Sequence, residues 1–432
     1  MTDITFGALG VPTQLVDALA ADGKTACFPI QADTLPDTLA GRDVLGRGKT
    51  GSGKTLAFSI PLVARLAAAD TRRRPGQPRG LVLAPTRELA TQINAVLAPL
   101  AAVYKLTTTT VFGGVSQHRQ VQALSKGVDI VVACPGRLED LMGQRHVRLD
   151  AVEVTVIDEA DHMADLGFLP SVTRILAATP ASGQRLLFSA TLDNGVGKLV
   201  SRFLHDEIRH SVDEPTASVA EMAHHVFTVD DRAAKTDVVK ALASGSGRRI
   251  LFMRTKHHAK RLARQLTAQG IPAADLHGNL SQAARDRNLA AFSSGEAKVL
   301  VATDVAARGV HVDDVELVIH VDPPAEHKAY LHRSGRTARA GAEGAVVTLV
   351  LPEQKRDVAQ LLRKAAIRTT PIQVSATSAE VTELVGEVAP LVMPEAKPAQ
   401  PGGRQGTRSA GSAQQRRNSR GGRRRRGAAG SR

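Results

Sequence analysis

Aromatic side chains are scarce in this chain: tryptophan is absent, tyrosine occurs twice, and aromatics make up 3% of 432 residues. A surface that reads bases by stacking them on rings is hard to build from that inventory. Any nucleic acid is therefore expected to be held by its backbone, with little sequence preference. Cysteine is nearly absent too. Cys27 and Cys134 alone exclude a disulfide framework and a paired-cysteine metal site, which fits a reducing, cytoplasmic setting. No apolar run approaches the ~18 residues of a membrane-spanning helix. Met1–Gly10 has neither the basic nor the hydrophobic stretch of a signal peptide. The histidines lack zinc spacing, since His224-His225 and His257-His258 are adjacent pairs whose side chains diverge on a strand or helix. Acids are missing from the C-terminal end. From Gln400 to Arg432 there are ten arginines and no Asp or Glu, so most of the net charge of +14 sits there. Such a segment suits polyanion binding through counterion release; the alternative is a solvated tail that maintains solubility.

What is present is an alternation of short β-branched runs with amphipathic stretches. In the first half, Asp43–Leu45, Gly80–Leu83, Leu106–Val111, Asp129–Ala133, Val152–Ile157 and Arg185–Phe188 read as strands. Most are continuously apolar, as expected for a sheet covered on both faces. Ile93, Val96, Leu97 and Leu100 recur at helical spacing. Arg249–Met253, Ala273–Leu276, Lys298–Ala302, Glu316–His320 and Ala345–Leu349 repeat the pattern, with a helix around Ala259–Leu266 that ends at Gly270. The fold class is α/β with mainly parallel sheets. The expected division is a first domain over 1–209, a linker over 210–223, a second domain over 224–371 and a flexible tail over 372–432. From Pro394 the Pro, Gly, Gln, Ser and Arg composition buries too little apolar surface to fold, and clusters such as Arg420-Gly421-Gly422-Arg423 read as an RNA-binding tail.

Gly48 to Thr55 matches the G-x-x-x-x-G-K-[ST] phosphate loop, between a strand and a helix. Backbone N–H groups of Thr50, Gly51, Ser52 and Gly53 would cradle phosphate oxygens, helped by the helix N-terminus. Lys54 would reach the β- and γ-phosphates and the Thr55 hydroxyl would coordinate Mg2+. Asp158-Glu159 follows the apolar run Val154–Ile157, at the carboxyl end of a strand where open α/β sheets bind ligands. Asp158 suits the magnesium ion and Glu159 suits the attacking water.

These pieces carry a resemblance. Asp158-Glu159-Ala160-Asp161 accompanies, in order, Pro85 to Ala90, Gly113-Gly114, Pro135-Gly136-Arg137, Ser189-Ala190-Thr191, Thr303-Asp304 with Arg308-Gly309, and His332 to Arg339. Over roughly residues 6 to 370 the chain resembles the DEAD-box RNA helicases of superfamily 2. The resemblance implies two RecA-like domains that bind ATP and RNA in the cleft between them. It places Gln31 on the adenine edge and Phe6 against the base, with Gly309 and His311 near the nucleotide. Arg336 and Arg339 match arginine fingers, worth ~10³–10⁵ in rate. Ser189, Thr191, Asp161 and His332 match positions that couple hydrolysis to unwinding, with both hydroxyls hydrogen-bonded to Asp161. Thr86, Arg87, Gly114, Gly136, Arg137, Arg285 and Thr303 match RNA-backbone contacts, with Arg254 and Gln282 beside them. Some positions depart from the pattern. Lys24 stands for an aromatic and Cys27-Phe28 for Pro-Thr, so adenine reading is expected to be looser or built differently; Cys134 replaces a Thr, His311 an Asp, and Ala338 a Gly.

The function expected from all this is an ATP-dependent RNA helicase using ATP and Mg2+, which remodels RNA duplexes and RNA–protein complexes without a membrane partner. The alternatives are an ATP-gated RNA clamp serving RNA decay or ribosome assembly, a DNA-directed helicase of the same superfamily, and an RNA chaperone acting through the arginine tail.

Overall fold

The computed structural model describes residues 4–48, 51–69, 71–192, 194–212, 222–307, 312, 314–338 and 344–393. Strands β1 (Val44–Arg47), β2 (Gly80–Leu83), β3 (Thr108–Val111), β4 (Ile130–Ala133), β5 (Val154–Ile157), β6 (Gln184–Ser189) and β7 (Ile208–Ser211) form one sheet. Its order is β3-β4-β2-β5-β6-β1-β7 and its pairings are parallel. Strands β8 (Ala223–Thr228), β9 (Arg248–Phe252), β10 (Ala273–Leu276), β11 (Val299–Ala302), β12 (Val315–His320), β13 (Ala345–Val350) and β14 (Ile372–Gln373) form a second parallel sheet, ordered β10-β11-β9-β12-β13-β8-β14. Both are the helix-flanked sheets expected of RecA-like domains.

Their apolar runs are continuous because both faces are covered. In β2, Val82 joins the core on one side, which holds Phe58, Ile60 and Ile93; Leu81 and Leu83 join the other, with Leu138 and Ile175. Strand β11 divides likewise, Leu300 and Ala302 to one side and Val299 and Val301 to the other.

The expected boundaries need correction at two points. His210 and Ser211 belong to β7 and Ala223 opens β8, so the linker's ends are strand residues; 213–221 lie outside the described residues. The tail expected from 372 begins later. Ile372–Gln373 pairs with β8, and the helix Ala379–Val385 follows. The buried Arg249 guanidinium donates to Leu384 O at 3.1 Å and Val385 O at 2.7 Å, fastening that helix to the sheet. Ala389 N then donates to Ser244 O at 2.8 Å. Residues 394–432, with their arginine clusters, lie outside the described residues. Among the described residues no helix is long and apolar enough to cross a membrane.

Candidate functional site

The carboxyl ends of the first sheet's strands supply the candidate site, as open α/β sheets do. After β1 the chain turns into the helix Lys54–Ala68 through Gly51 (φ +89°) and Gly53 (φ +91°), backbone that other residues rarely adopt. A Cβ at Gly53 would also stand 2.6 Å from Gln31 Nε2. The loop's shape therefore depends on glycine twice over. Thr50 lies outside the described residues, while Ser52 and Thr55 sit half-buried beside the turn.

Lys54 is buried, and its ammonium donates to Gly48 O at 2.9 Å and to Glu159 Oε1 at 3.0 Å. Burial pulls its pKa down, yet the carboxylates of Glu159, Asp158 and Asp161 outweigh that and hold it above the ordinary value. Glu159 takes left-handed backbone (φ +53°), a strained conformation for a side-chain-bearing residue costing about 1–3 kcal/mol. Asp158, behind β5, is 2% exposed. Its carboxyl is pushed up to about 7, first by burial and then by Glu159, against the pull of Lys54. Three buried or half-buried acids thus share essentially one lysine. That uncompensated negative charge fits a divalent cation arriving with a phosphate ligand, although among the described residues no three His, Cys, Asp or Glu side chains form a self-contained metal site.

Asp161 opens the connection to the strand β6 loop. Its Oδ2 accepts from Thr191 N at 2.9 Å and from Thr191 Oγ1 at 3.1 Å. Of the expected pair of hydroxyls, Ser189 also acts on this carboxylate, whose pKa burial raises and the Ser189 hydroxyl lowers; its Oγ accepts from the Asp161 backbone N–H at 3.2 Å and donates to Thr191 O at 2.8 Å. His332, on the helix His327–Ser334 beside the second sheet, faces the same acids. Burial lowers its pKa, while Asp161 and Asp165 pull the other way.

The arginine run divides by role. Arg333 is 3% exposed, donates to Asp304 Oδ2 at 2.8 Å and to Asp322 O at 2.7 Å, and lies over the Phe252 ring. It is a structural residue. Arg336 lines a small cavity with His332, Arg333, Asp304 and Phe252. Arg339, Gly309 and His311 lie outside the described residues.

The base-contacting expectation needs correction. Phe6 is 1% exposed and packs in the core with Leu15 and Ile30, as a large apolar ring near those helices does. Phe28, part of the expected adenine-reading segment though a departure from its usual pattern, is 50% exposed and borders Gly53. Gln31 is fully buried; its Oε1 accepts from Phe28 N at 2.9 Å and its Nε2 donates to Gly53 O at 3.0 Å. It ties the segment to the phosphate loop.

The expected RNA contacts gather on the neighbouring strand ends. Thr86 Oγ1 caps the helix Arg87–Val103 by accepting from Leu89 N at 3.3 Å. The Arg87 guanidinium packs on Gly114 (φ +77°), where a Cβ would clash at 2.1 Å. Arg137, beside Gly136 in the first turn of its helix, donates to Val115 O at 3.4 Å. Arg87 and Arg285 are also spent on contacts between the two sheets' helices. Arg87 Nη1 donates to Gln282 Oε1 at 2.8 Å, and Arg285 Nε donates to Glu88 Oε1 at 2.6 Å. Arg285 Nη2 reaches Ala306 O at 3.1 Å in the short helix that Thr303 caps with its carbonyl. Glu88 is the residue sequence reasoning missed. A glutamate in a helix's first turn reads as a dipole partner, and only the packed structure shows its side chain 8% exposed against Arg285.

Comparisons with known proteins agree with this arrangement. The family model described as DEAD/DEAH box helicase matches residues 28–199, and that of the helicase conserved C-terminal domain matches 234–341. The chain is 42% identical over 369 residues to the DEAD-box ATP-dependent RNA helicase 3B, chloroplastic, of Zea mays, covering 84% of this chain and 49% of that protein. It is 41% identical over 356 residues to the ATP-dependent RNA helicase RhlB of Xanthomonas campestris pv. campestris, covering 81% of this chain and 62% of that protein. The chain thus spans between about half and three-fifths of the length of these curated relatives. Dbp5 of S. cerevisiae, bound to RNA and ADP BeF3, superposes with a TM-score of 0.77 at 26% identity, covering 88% of this chain and 100% of that one. The phosphate loop, the Asp158–Asp161 tetrad and the facing helix of His332 fall within the matched segments. The chain belongs to the DEAD/DEAH box helicase family.

Proposed function

We propose that the chain is an ATP-dependent RNA helicase that separates short duplexes locally, holding RNA by its backbone. The observation that carries the reading is the Lys54–Glu159 ion pair, 3.0 Å long and set in a strained turn, with His332 of the opposite half facing the same acids. Without nucleotide, the lysine that suits phosphate and the glutamate that suits water neutralise each other. ATP draws Lys54 onto its β- and γ-phosphates and frees Glu159 to take a proton from the attacking water. Thr55 and Asp158 are the residues that would hold Mg2+, which supplies charge neutralisation at the phosphates when bound. Arg336 stabilises charge on the transferring phosphoryl group as the halves close, with Arg339 as its proposed second. Asp161, fixed by Thr191, transmits the state of the site to the second half through His332. The base lies by Phe28, over the segment that Gln31 ties to the phosphate loop. RNA runs over Thr86, Arg87, Gly114, Gly136 and Arg137 and on to Arg285 and Thr303.

Glu159→Gln tests the reading. RNA-stimulated ATP hydrolysis should fall at least a hundredfold while RNA stays bound in the presence of ATP; undiminished turnover would refute it. Stimulation by DNA equal to that by RNA would favour the DNA-directed alternative. ATP-dependent RNA retention without separation of short duplexes would favour the clamp.

A further inference from the structure

The helix Lys256–Ala268 carries charge in the order that its own electrostatics disfavours. Ala259, Ala263 and Leu266 are buried against the second sheet, while Lys256, His257, His258, Lys260, Arg261 and Arg264 are exposed. From Arg254 to Gly270 there is no acid in the sequence. Lys256 stands in the first turn, beside the positive end of the helix, with no acid there to offset it, and the last turn has no cation. The helix Lys355–Lys364 of the same sheet has the favourable order instead, with Asp357 in its first turn and Arg363 and Lys364 in its last. Lys256, Lys260 and Arg264 recur every four residues, so their like charges stack along one line and repel. No ion pair among the described residues relieves Lys260, Arg261 or Arg264. A helix that kept only its core contacts would gain by replacing them.

The stripe also has a direction. Lys256 Nζ donates to Asn279 Oδ1 at 3.0 Å, joining the start of the helix to the loop that leads into Gln282 and Arg285. From there Lys260 and Arg264 step outward by about 6 Å each, at 1.5 Å per residue, alongside Arg261. We propose that this helix face is a second binding track for RNA phosphodiester backbone, which takes the strand as it leaves the core site at Arg285. This rests on the RNA reading of the core site. The track is expected to read few bases, since no Phe, Tyr or Trp lies between Arg254 and Gly270.

The test uses the full chain and the triple variant Lys260→Ala, Arg261→Ala, Arg264→Ala, which keeps good helix formers throughout. Binding is measured for single-stranded RNA of about 6 and about 20 nucleotides, and for the shorter strand joined to a hairpin arm, across a salt series. Both proteins should bind the short strand alike. The longer RNA should lose about 2 from its log–log salt slope in the variant, which amounts to roughly 20-fold between 50 and 200 mM salt. Loss confined to the hairpin-bearing RNA would assign the track to duplex, and loss on both to either form of backbone. Equal slopes and affinities for all three RNAs would overturn the proposal and leave the stripe to an acidic protein partner. Failure of wild type to bind the short strand would instead overturn the RNA reading of the core.

Discussion

Neutralising Glu88 is the sharpest perturbation of the contact between the two halves. Its carboxylate receives Arg285 Nε at 2.6 Å, with Gln282 Nε2 at 3.5 Å, and the two charged side chains are 8% and 11% exposed. Removing one partner of a buried pair costs about 3–5 kcal/mol when the other charge stays buried. Glu88→Gln keeps an acceptor, and Arg285 keeps Ala306 O, so about 2 kcal/mol is a fair expectation. That cost falls on the joined arrangement alone, because both groups are hydrated once the halves part. The joined population should therefore drop about 30-fold. Fluorescence transfer between labels on the two halves, titrated with RNA at saturating ATP, reads this as a rise of similar size in the RNA concentration needed. Arg285→Gln confounds contact with RNA binding, so the double variant is decisive. A coupling between the two positions below about 0.5 kcal/mol would refute the view that this pair holds the halves together.

Three further outcomes follow from the site. Asp158, with its pKa pushed up to about 7 chiefly by burial, keeps in the folded chain a proton that the unfolded chain gives up near pH ~4. Stability from this group therefore falls as pH rises between those values, and Asp158→Asn should raise the melting temperature of the nucleotide-free protein more at pH 8 than at pH 5. The full gap corresponds to ~4 kcal/mol, reduced to about 1–2 by the coupling to Lys54 and Glu159; an advantage larger at pH 5 would contradict the assignment. Phe28→Ala should raise KM for ATP roughly fivefold through lost base contact, about 1 kcal/mol, with the melting temperature unmoved. Phe6→Ala should do the reverse, costing about 3–5 kcal/mol of stability; a selective nucleotide defect from Phe6→Ala would restore its expected place against the base.

The central strands were legible because burial on both faces leaves an apolar run with no alternation to misread, and Gly80–Leu83 coincides with the observed span; Ala273–Leu276 coincides too, although it is an edge strand with alternating burial. The strands that escaped notice are β7, β8 and β14. Their residues include Arg209, His210, His224 and Gln373, and their strand state comes from pairing, β7 with β1, β8 with β13 and β14 with β8, rather than from composition. The phosphate loop and the acids after β5 were legible because a local spacing suffices for each. Spacing alone does not say which arginine of the run the core takes; the family resemblance singled out Arg336 and Arg339, and Arg333 is the one that went to Asp304. The Glu88–Arg285 pair joins residues 197 apart, beyond any local pattern. Phe6 was misplaced because a motif distance outweighed the ordinary tendency of phenylalanine to be buried.

Whether both halves act on one triphosphate is tested most directly at Arg336, because it belongs to the half without the phosphate loop. With RNA and ATP saturating, Arg336→Ala should lower kcat by about 10³ or more, while the affinities for ATP and RNA stay within a few-fold of wild type. A fall of less than tenfold would mean that hydrolysis is completed by the first half alone.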